Sequence, residues 1–495
     1  MIENQPDNPN SYEHFLESFS LNLYSLRSFA NNVSPVLISE IPSITDIKKV
    51  GEITVVHLIQ SILFLKDNPD LEKDEFEELE ELEELEELEE LEELEELELE
   101  ELEELGKLEG LEGLEGLEKL GKQEEHSGYY VKNKLLFLEK YLYENYGVEI
   151  KEGGKLKISG KNAKQTSKAI DEFQSKMKQL HILYQSTLMS LAIYFEVLIA
   201  SIIKQRMVLH PKSSDIEEKT LTLENIRKLG SFENAELFLI EQEVETIIRK
   251  SYTDWIDYLK KNMKLKMDYI ERYNDKIIEI IQRRNLFVHN EGIVNSIYLK
   301  NIDPKLKEGV KLGERLSIDH AYIDESIDIV EHAGTLLGLE FWSVMEKRSD
   351  ERVKYTINKG IDLMSEKKWE LSKDLFQLVL NEKIIDSREK SLSQINYWLS
   401  MKRLGKYNEI QSEIENSDFS DKTRDFRMCY YALKGETDVM YEIIQKALEV
   451  NEVTLADLRN WPVFDDYRDD ERFIGIMLDE KDEGEESIFL YPPVS

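Results

Sequence analysis

Three side chains near the end of one helix-like run have the types and spacing that phosphodiester chemistry needs. Arg284, Asn285 and His289 lie in 282–290, at the end of a run predicted to be helical over 268–288. A histidine can gain or lose a proton near neutral pH, and a guanidinium can offset negative charge that develops on a phosphate. This combination could move a proton and stabilise a charged phosphorus centre.

The apolar pattern of the run predicts which helix face carries these groups. Arg284 falls in the apolar stripe, and the neighbouring row contains Asn285 and His289. Residues three or four positions apart share a helix face. The stripe itself consists of Ile277, Ile281 and Val288. We therefore expect Arg284, Asn285 and His289 to lie on or beside a buried face.

A guanidinium taken out of water needs a partner, because an unpaired buried charge costs several kcal/mol, roughly. The sequence offers Glu196, which interrupts the apolar window 194–198 in a helix predicted over 163–209. One interpretation pairs Glu196 with Arg284. The other interpretation leaves Glu196 facing water.

Composition limits the class of protein. The chain has 495 residues, a net charge of −39 and one cysteine, Cys429. A single cysteine excludes a disulfide framework and is typical of a reducing cytoplasm. The start of the chain has no signal-peptide pattern, and no uninterrupted apolar run is long enough for a membrane span, so we expect a cytoplasmic protein without a membrane partner. The acidic charge disfavours non-specific nucleic-acid binding, which leaves only a local site for RNA.

Changes in composition predict five segments. An N-terminal helical segment over 1–70 precedes a Glu/Leu low-complexity insert over 71–125, and a helical bundle with a small β-hairpin over 126–345 follows. Helical-hairpin repeats over 346–480 and a tail over 481–495 complete the chain. In the insert the leucine row slips by about 60° per three-residue repeat, so no stable apolar face forms. We expect a solvated, disordered or partly helical insert; a partner-binding arm is the alternative.

A cluster of lysines lies in and just after the hairpin predicted from strands 148–150 and 156–158. It is either a contact for a phosphate backbone or an ordinary solvated surface. The cluster consists of Lys151, Lys155, Lys157, Lys161, Lys164 and Lys168.

The C-terminal segment is predicted to contain helix pairs at a spacing of about 35 residues, which is typical of helical-hairpin repeats. Its corner 404–407, Leu-Gly-Lys-Tyr, resembles a tetratricopeptide repeat, and so do 461–464 and 472–473. Such arrays present a concave face, so the resemblance implies a protein or peptide partner. The alternative is a plain helical extension of the bundle.

The run 284–289, Arg-Asn-Leu-Phe-Val-His, resembles the Arg-x4-His motif of the HEPN superfamily (higher eukaryotes and prokaryotes nucleotide-binding domain). The resemblance covers about 126–345. It implies an all-α bundle that forms a homodimer, with the two motifs meeting in one cleft. It also implies a metal-independent endoribonuclease without a cofactor, of the kind found in bacterial toxins and antiviral defence.

The resemblance assigns roles residue by residue. His289 is expected to act as general base or acid at a ribose 2′-hydroxyl, and Arg284 to hold the scissile phosphate. Asn285 is expected to orient the histidine or the phosphate, and Glu196 to hold Arg284. RNA is the expected substrate because DNA lacks the 2′-hydroxyl nucleophile.

Two alternatives stay open at this stage. Arg284, Asn285 and Glu196 could instead form a structural network in a non-catalytic scaffold whose C-terminal repeats bind a partner. Leu286 and Phe287 are placed towards the outer side of the helix, where they form either a dimer seam or a contact with a neighbouring helix.

Overall fold

The computed structural model describes residues 11–40, 139–140, 142–143, 147–151, 156–159, 163–211, 216 and 219–478. Helices dominate these residues, and the strands among them form one two-stranded sheet. The predicted all-α class with a small hairpin is confirmed at this level.

The described residues fall into two compact units. The first contains those of Met1–Leu26, Leu188–Ser317 and Ala321–Ser495, and the second those of Arg27–Thr187 and Ile318–His320. The five predicted segments stay predictions. The Glu/Leu insert, the tail and the helix expected over 50–65 lie outside the described residues.

In the N-terminal segment, the pair Ser34-Pro35 predicts a helix end, because a proline inside a helix usually breaks it. This prediction is wrong, since α1 runs over Tyr12–Glu40 with Pro35 inside. A proline removes one N–H donor from the helical ladder and leaves the other hydrogen bonds possible, so the helix can continue past it. Ser34 is buried at this point.

The predicted hairpin is present in the second unit. Strands Val148–Ile150 (β1) and Leu156–Ile158 (β2) pair antiparallel, with Val148 opposite Ile158. Two lysines of the basic cluster, Lys151 and Lys157, both form ion pairs with Glu149 on β1. These two lysines are therefore partly neutralised.

The long helix α2 has the predicted bounds, Ala163–Leu209. Its segment Ser175–Leu209 is long and apolar enough to cross a membrane. The most apolar window of this segment has a mean hydropathy of 1.9, and half of the window is buried. The core helix of a soluble protein can have the same length and composition, so these two properties are weak support for a membrane contact.

Short helices connect α2 to the motif region. Their bounds are Leu223–Leu229 (α3), Phe232–Ile248 (α4), Tyr252–Met263 (α5), Asp268–Glu271 (α6), Asn274–Asn290 (α7) and Ser296–Asn301 (α8), followed by a 3-10 turn at Pro304–Lys307. The prediction of a single helix over 268–288 is wrong at one point, because Arg272 and Tyr273 separate α6 from α7. Tyr273 has φ −110° and ψ −5°, and its hydroxyl lies 3.0 Å from His332 Nδ1.

Helix α9, His320–Met345, lies at the centre of the first unit and is closely packed. Its small residues Gly334 and Gly338 let α1 approach. A Cβ atom at Gly334 would overlap the Phe19 ring and lie 2.9 Å from Leu198 Cδ2, and one at Gly338 would overlap Leu16. Any side chain at these glycines therefore forces the helices apart.

Helices occur at each position where the C-terminal pairs were predicted. They are Asp350–Ser365 (α10), Trp369–Leu380 (α11), Ser387–Arg403 (α12), Tyr407–Asn416 (α13), Arg424–Lys434 (α14) and Thr437–Glu449 (α15), followed by Leu455–Asn460 (α16), a 3-10 turn at Pro462–Tyr467 and Glu471–Leu478 (α17). The turns at Gly405 and Gly435 need positive φ, 72° and 75°. Trp398 is fully buried in a continuous apolar core that these helices share.

Gly334→Ala should lower the free energy of unfolding by about 1–3 kcal/mol, because the added methyl group overpacks the contact with Phe19. Gly475 is the matched control, since it is helical and a Cβ there meets nothing within 4 Å. Gly475→Ala should be neutral or stabilising by up to about 1 kcal/mol. Urea unfolding measures the free energy of unfolding of both variants. Equal changes in the two variants would contradict the close approach of Phe19 to Gly334.

Candidate active site

Helix α7, the motif helix, ends in a sharp turn just after His289. Glu291 and Gly292 have φ of 51° and 80°, and the Gly292 amide donates to the Leu286 carbonyl at 3.1 Å. Asn290 Nδ2 donates to the Ile293 carbonyl at 2.6 Å. The turn that the sequence predicted here is present and is held by its own hydrogen bonds.

The rotation of the motif helix differs from the prediction. The buried positions are Ile277, Ile280, Leu286 and Phe287, whereas Val288 is 47% exposed. Leu286 and Phe287 thus pack inside, and the exposed seam considered for them is excluded. The apolar spacing misled because Ile281 and Val288 have the residue type of a core, but Ile281 is only partly buried and Val288 is exposed.

Arg284 lies at the edge of the buried face and is paired with Glu196. One guanidinium nitrogen of Arg284 donates to the Glu196 carboxylate on α2, and the two side chains are 21% and 27% exposed. Glu196 therefore does not simply face water. The Arg284 Nε atom is buried and has no hydrogen-bond partner among the described residues.

Asn285 and His289 lie on the outer part of the motif helix. His289 is exposed in the last turn, which contradicts the expected placement on or beside a buried face, and Asn285 is half-buried. Within the part of the chain that the structure describes, neither side chain has a hydrogen bond or ion pair. Both are accessible to a ligand.

The spacing of Arg284 and His289 keeps them apart on one helix. Five residues correspond to about 140° around the helix axis, so the two side chains leave on different sides. One chain therefore brings Arg284 to Glu196 and leaves His289 outside that pair.

The most buried charge of the motif helix is one that sequence reasoning missed. Glu279 is 4% exposed and accepts three hydrogen bonds: from Arg283 Nε at 2.6 Å, Tyr298 Oη at 2.7 Å and Tyr322 Oη at 2.8 Å. Arg283 also donates to the Ser317 carbonyl at 2.9 Å, and its guanidinium lies 4.1 Å from the centre of the Tyr322 ring. We call these four side chains the Glu279 network.

The surroundings of Arg283, Tyr298 and Tyr322 raise the pKa of each of these side chains. Burial opposes the charge on Arg283, but Tyr322 and Glu279 raise its pKa overall. Burial, and then the Glu279 carboxylate, raise the pKa of Tyr298 and Tyr322. At neutral pH both tyrosines therefore keep the protons that they donate. The sequence signal that could have found this network is the i, i+4 spacing of Glu279 and Arg283.

A separate cavity of about 400 Å³ lies between α1 and α10. Carboxylates from both helices line it, among them Glu13, Glu17, Glu351 and Asp362, and none of the four predicted site residues does. Burial, and then the neighbouring Glu17 and Glu351, raise the pKa of Glu13. No group of three or more His, Cys, Asp or Glu side chains suited to a metal ion occurs among the described residues.

Comparison with protein-family models, with curated proteins and with solved structures gives no match for this chain. The resemblance to HEPN domains therefore rests on the motif residues themselves. Their geometry here is a guanidinium held by a carboxylate on a neighbouring helix, with an amide and an imidazole accessible further along the same helix.

Glu279→Ala should lower the free energy of unfolding by about 3–5 kcal/mol, because it leaves the Arg283 charge buried and unpaired. Glu196→Ala should cost only about 1 kcal/mol, because the Arg284 pair is partly solvated. Urea unfolding compares the two variants. If Glu279→Ala does not fold, Tyr298→Phe replaces it and should cost about 1.5–3 kcal/mol. A larger loss in the free energy of unfolding for Glu196→Ala than for the variant of the Glu279 network would contradict this ranking.

Proposed function

We propose that this chain is a metal-independent endoribonuclease of HEPN type. The observation that carries the proposal is the Arg284–Glu196 pair, at the surface of the helix whose last turn carries an accessible His289. Glu196 fixes the position of a cation that has an unused buried donor at Nε. A preorganised cation and a titratable imidazole are the groups that attack by a ribose 2′-hydroxyl needs.

In this reaction the 2′-oxygen attacks the adjacent phosphorus and the 5′-oxygen leaves. His289 would take the proton of the 2′-hydroxyl or supply one to the leaving oxygen. Arg284 would offset the charge on the phosphate oxygens, and Asn285 would donate to the imidazole or the phosphate. The products are a 2′,3′-cyclic phosphate and a 5′-hydroxyl, and no step needs a metal ion or cofactor.

A homodimer would complete this site. Arg284 and His289 leave one helix about 140° apart, so two copies can place both group types around one phosphate. Apolar side chains beside the Arg284–Glu196 pair support such an association. Ile193 and Val197 on α2 are 51% and 52% exposed, and Val288 on the motif helix is 47% exposed. We call these three residues the apolar rim.

The C-terminal helix pairs would serve a separate role in this protein. Their resemblance to tetratricopeptide repeats favours a protein or peptide partner. A ribonuclease joined to such a module fits a bacterial toxin that acts in the cytoplasm during stress or phage infection. The acidic chain would restrict RNA binding to the motif surface, because affinity for phosphates depends on local cations.

The purified full-length protein should cleave single-stranded RNA in EDTA and leave 2′,3′-cyclic phosphate ends. His289→Ala should slow cleavage by about 100-fold or more, since a positioned acid–base group contributes at least that factor. His210→Ala is the matched control, because His210 is also an exposed histidine at the end of a long helix. Its cleavage rate should equal that of the wild type.

The non-catalytic alternative makes the opposite prediction. A wild-type protein that cuts no RNA, or a His289→Ala variant that cuts as fast as the wild type, would leave a scaffold as the better description. Mass spectrometry of the products, together with circular dichroism of each variant, separates loss of chemistry from loss of fold.

Val288→Glu should convert the dimer to a monomer and lower the cleavage rate, because a charge at the apolar rim opposes its burial. Ile384→Glu is the control, since Ile384 is 68% exposed in the loop between α11 and α12. Analytical ultracentrifugation measures the state of each variant. A wild-type monomer that is fully active would contradict the shared site.

A further inference from the structure

The start of the motif helix has no side-chain cap of its own. Tyr273 occupies the N-cap position of α7 and forms no capping hydrogen bond. Helices usually satisfy their first N–H groups with a Ser, Thr, Asp or Asn side chain, and a missing cap is destabilising. The position of this helix end must therefore depend on other contacts.

Those contacts lead to a buried histidine on α9. His332 is 5% exposed, and its Nδ1 lies 3.0 Å from the Tyr273 hydroxyl. Its Nε2 lies 2.8 Å from Asp374 Oδ2 on α11. Both ring nitrogens are thus engaged, one towards the motif helix and the other towards the C-terminal pairs.

A second connection runs parallel to the first. Arg272, just before the N-cap, donates to the same Asp374 Oδ2 at 2.7 Å, and its guanidinium lies 4.8 Å from the centre of the Tyr273 ring. Lys373 approaches the other oxygen, Oδ1, at 3.2 Å. Burial raises the pKa of Asp374, but hydrogen bonding from His332 and the nearby Lys373 outweigh it and hold the pKa well below its usual range.

Asp374 is also connected to the turns of the C-terminal pairs. Glu370, one helical turn before it on α11, forms ion pairs with Lys373 and, at 2.8 Å, with Lys406. Lys406 lies in the turn between α12 and α13. A movement of these pairs would therefore displace the carboxylate that holds Arg272 and His332.

We infer that the Arg272–His332–Asp374 network couples the C-terminal helix pairs to the start of the motif helix, so that the pairs control how firmly Arg284 and His289 are held. Helix ends with few stabilising contacts open first in local unfolding, and a contact across elements changes that opening. This inference deepens the proposed ribonuclease function, and only its activity measurement rests on that function. His332, Asp374 and Arg272 act as positioning residues.

The test compares hydrogen exchange of full-length variants, helix by helix. Asp374→Asn removes the charge that His332 and Arg272 share, and His332→Gln removes the ring that joins Tyr273 to Asp374. Each should speed exchange of the first hydrogen-bonded amides of Asn274–Asn290, from Ile277 onwards, about tenfold or more, the factor that losing a charge-assisted hydrogen bond corresponds to. Each should also lower kcat for RNA cleavage more than it changes KM.

Glu382→Gln is the matched control. The Arg352–Glu382 pair is equally short at 2.7 Å and partly buried, but it joins α10 to the end of α11 without contacting Arg272, Tyr273 or His332. This variant should lower the melting temperature and leave exchange in the motif helix unchanged. Unchanged exchange there in folded Asp374→Asn, or equal acceleration by Glu382→Gln, would overturn the coupling. If the wild type cuts no RNA, exchange still decides this inference.

Discussion

A buried carboxylate determines how the motif helix is rotated. Glu279 has almost no contact with solvent, and an unpaired charge there would be strongly destabilising. Arg283, Tyr298 and Tyr322 satisfy it with three short hydrogen bonds. Turning the helix by one position would carry Glu279 away from Tyr298 and Tyr322 and break both of those bonds, whereas Arg283 lies on the same helix and would move with it. The helix is therefore held in one orientation, which also buries Leu286 and Phe287.

That orientation leaves the adjacent residues at the surface. Because Arg283 faces inward, Arg284 lies at the edge, where Glu196 on α2 holds it. Val288 and His289 then lie on the outer side, and Ile193 and Val197, near Glu196 on α2, are exposed as well. The nuclease site that we propose, shared between two copies, would use this arrangement, with the cation held by Glu196 and the imidazole open to a ligand. At the opposite end of the same helix, Arg272 and Tyr273 contact His332 and Asp374 through the Arg272–His332–Asp374 network.

Sequence patterns predicted the bounds of the long helix and the small hairpin, and the pairing of Glu196 with Arg284 was one of the two interpretations that they left open. They failed on the rotation of the motif helix, because Ile281 and Val288 are as apolar as the residues that are actually buried. They also failed on Glu279, since a carboxylate in a polar helix is normally exposed, and its partners Tyr298 and Tyr322 come from later elements. Tyr273, at the break before α7, contacts His332, about sixty positions further along the chain. Contacts of this kind are tertiary, and local periodicity does not encode them.

Cysteine accessibility measures the rotation of the motif helix most directly. The native Cys429 is buried, and burial raises its pKa well above the usual range, so it should react slowly. In a Cys429→Ser background, Val288→Cys and His289→Cys should react quickly with a maleimide in the folded, monomeric protein. Leu286→Cys and Phe287→Cys should react only after unfolding. Rapid labelling at 286 and 287 with protection at 288 and 289 in a monomeric sample would mean that the helix faces the other way, and the proposed site would not exist in this form.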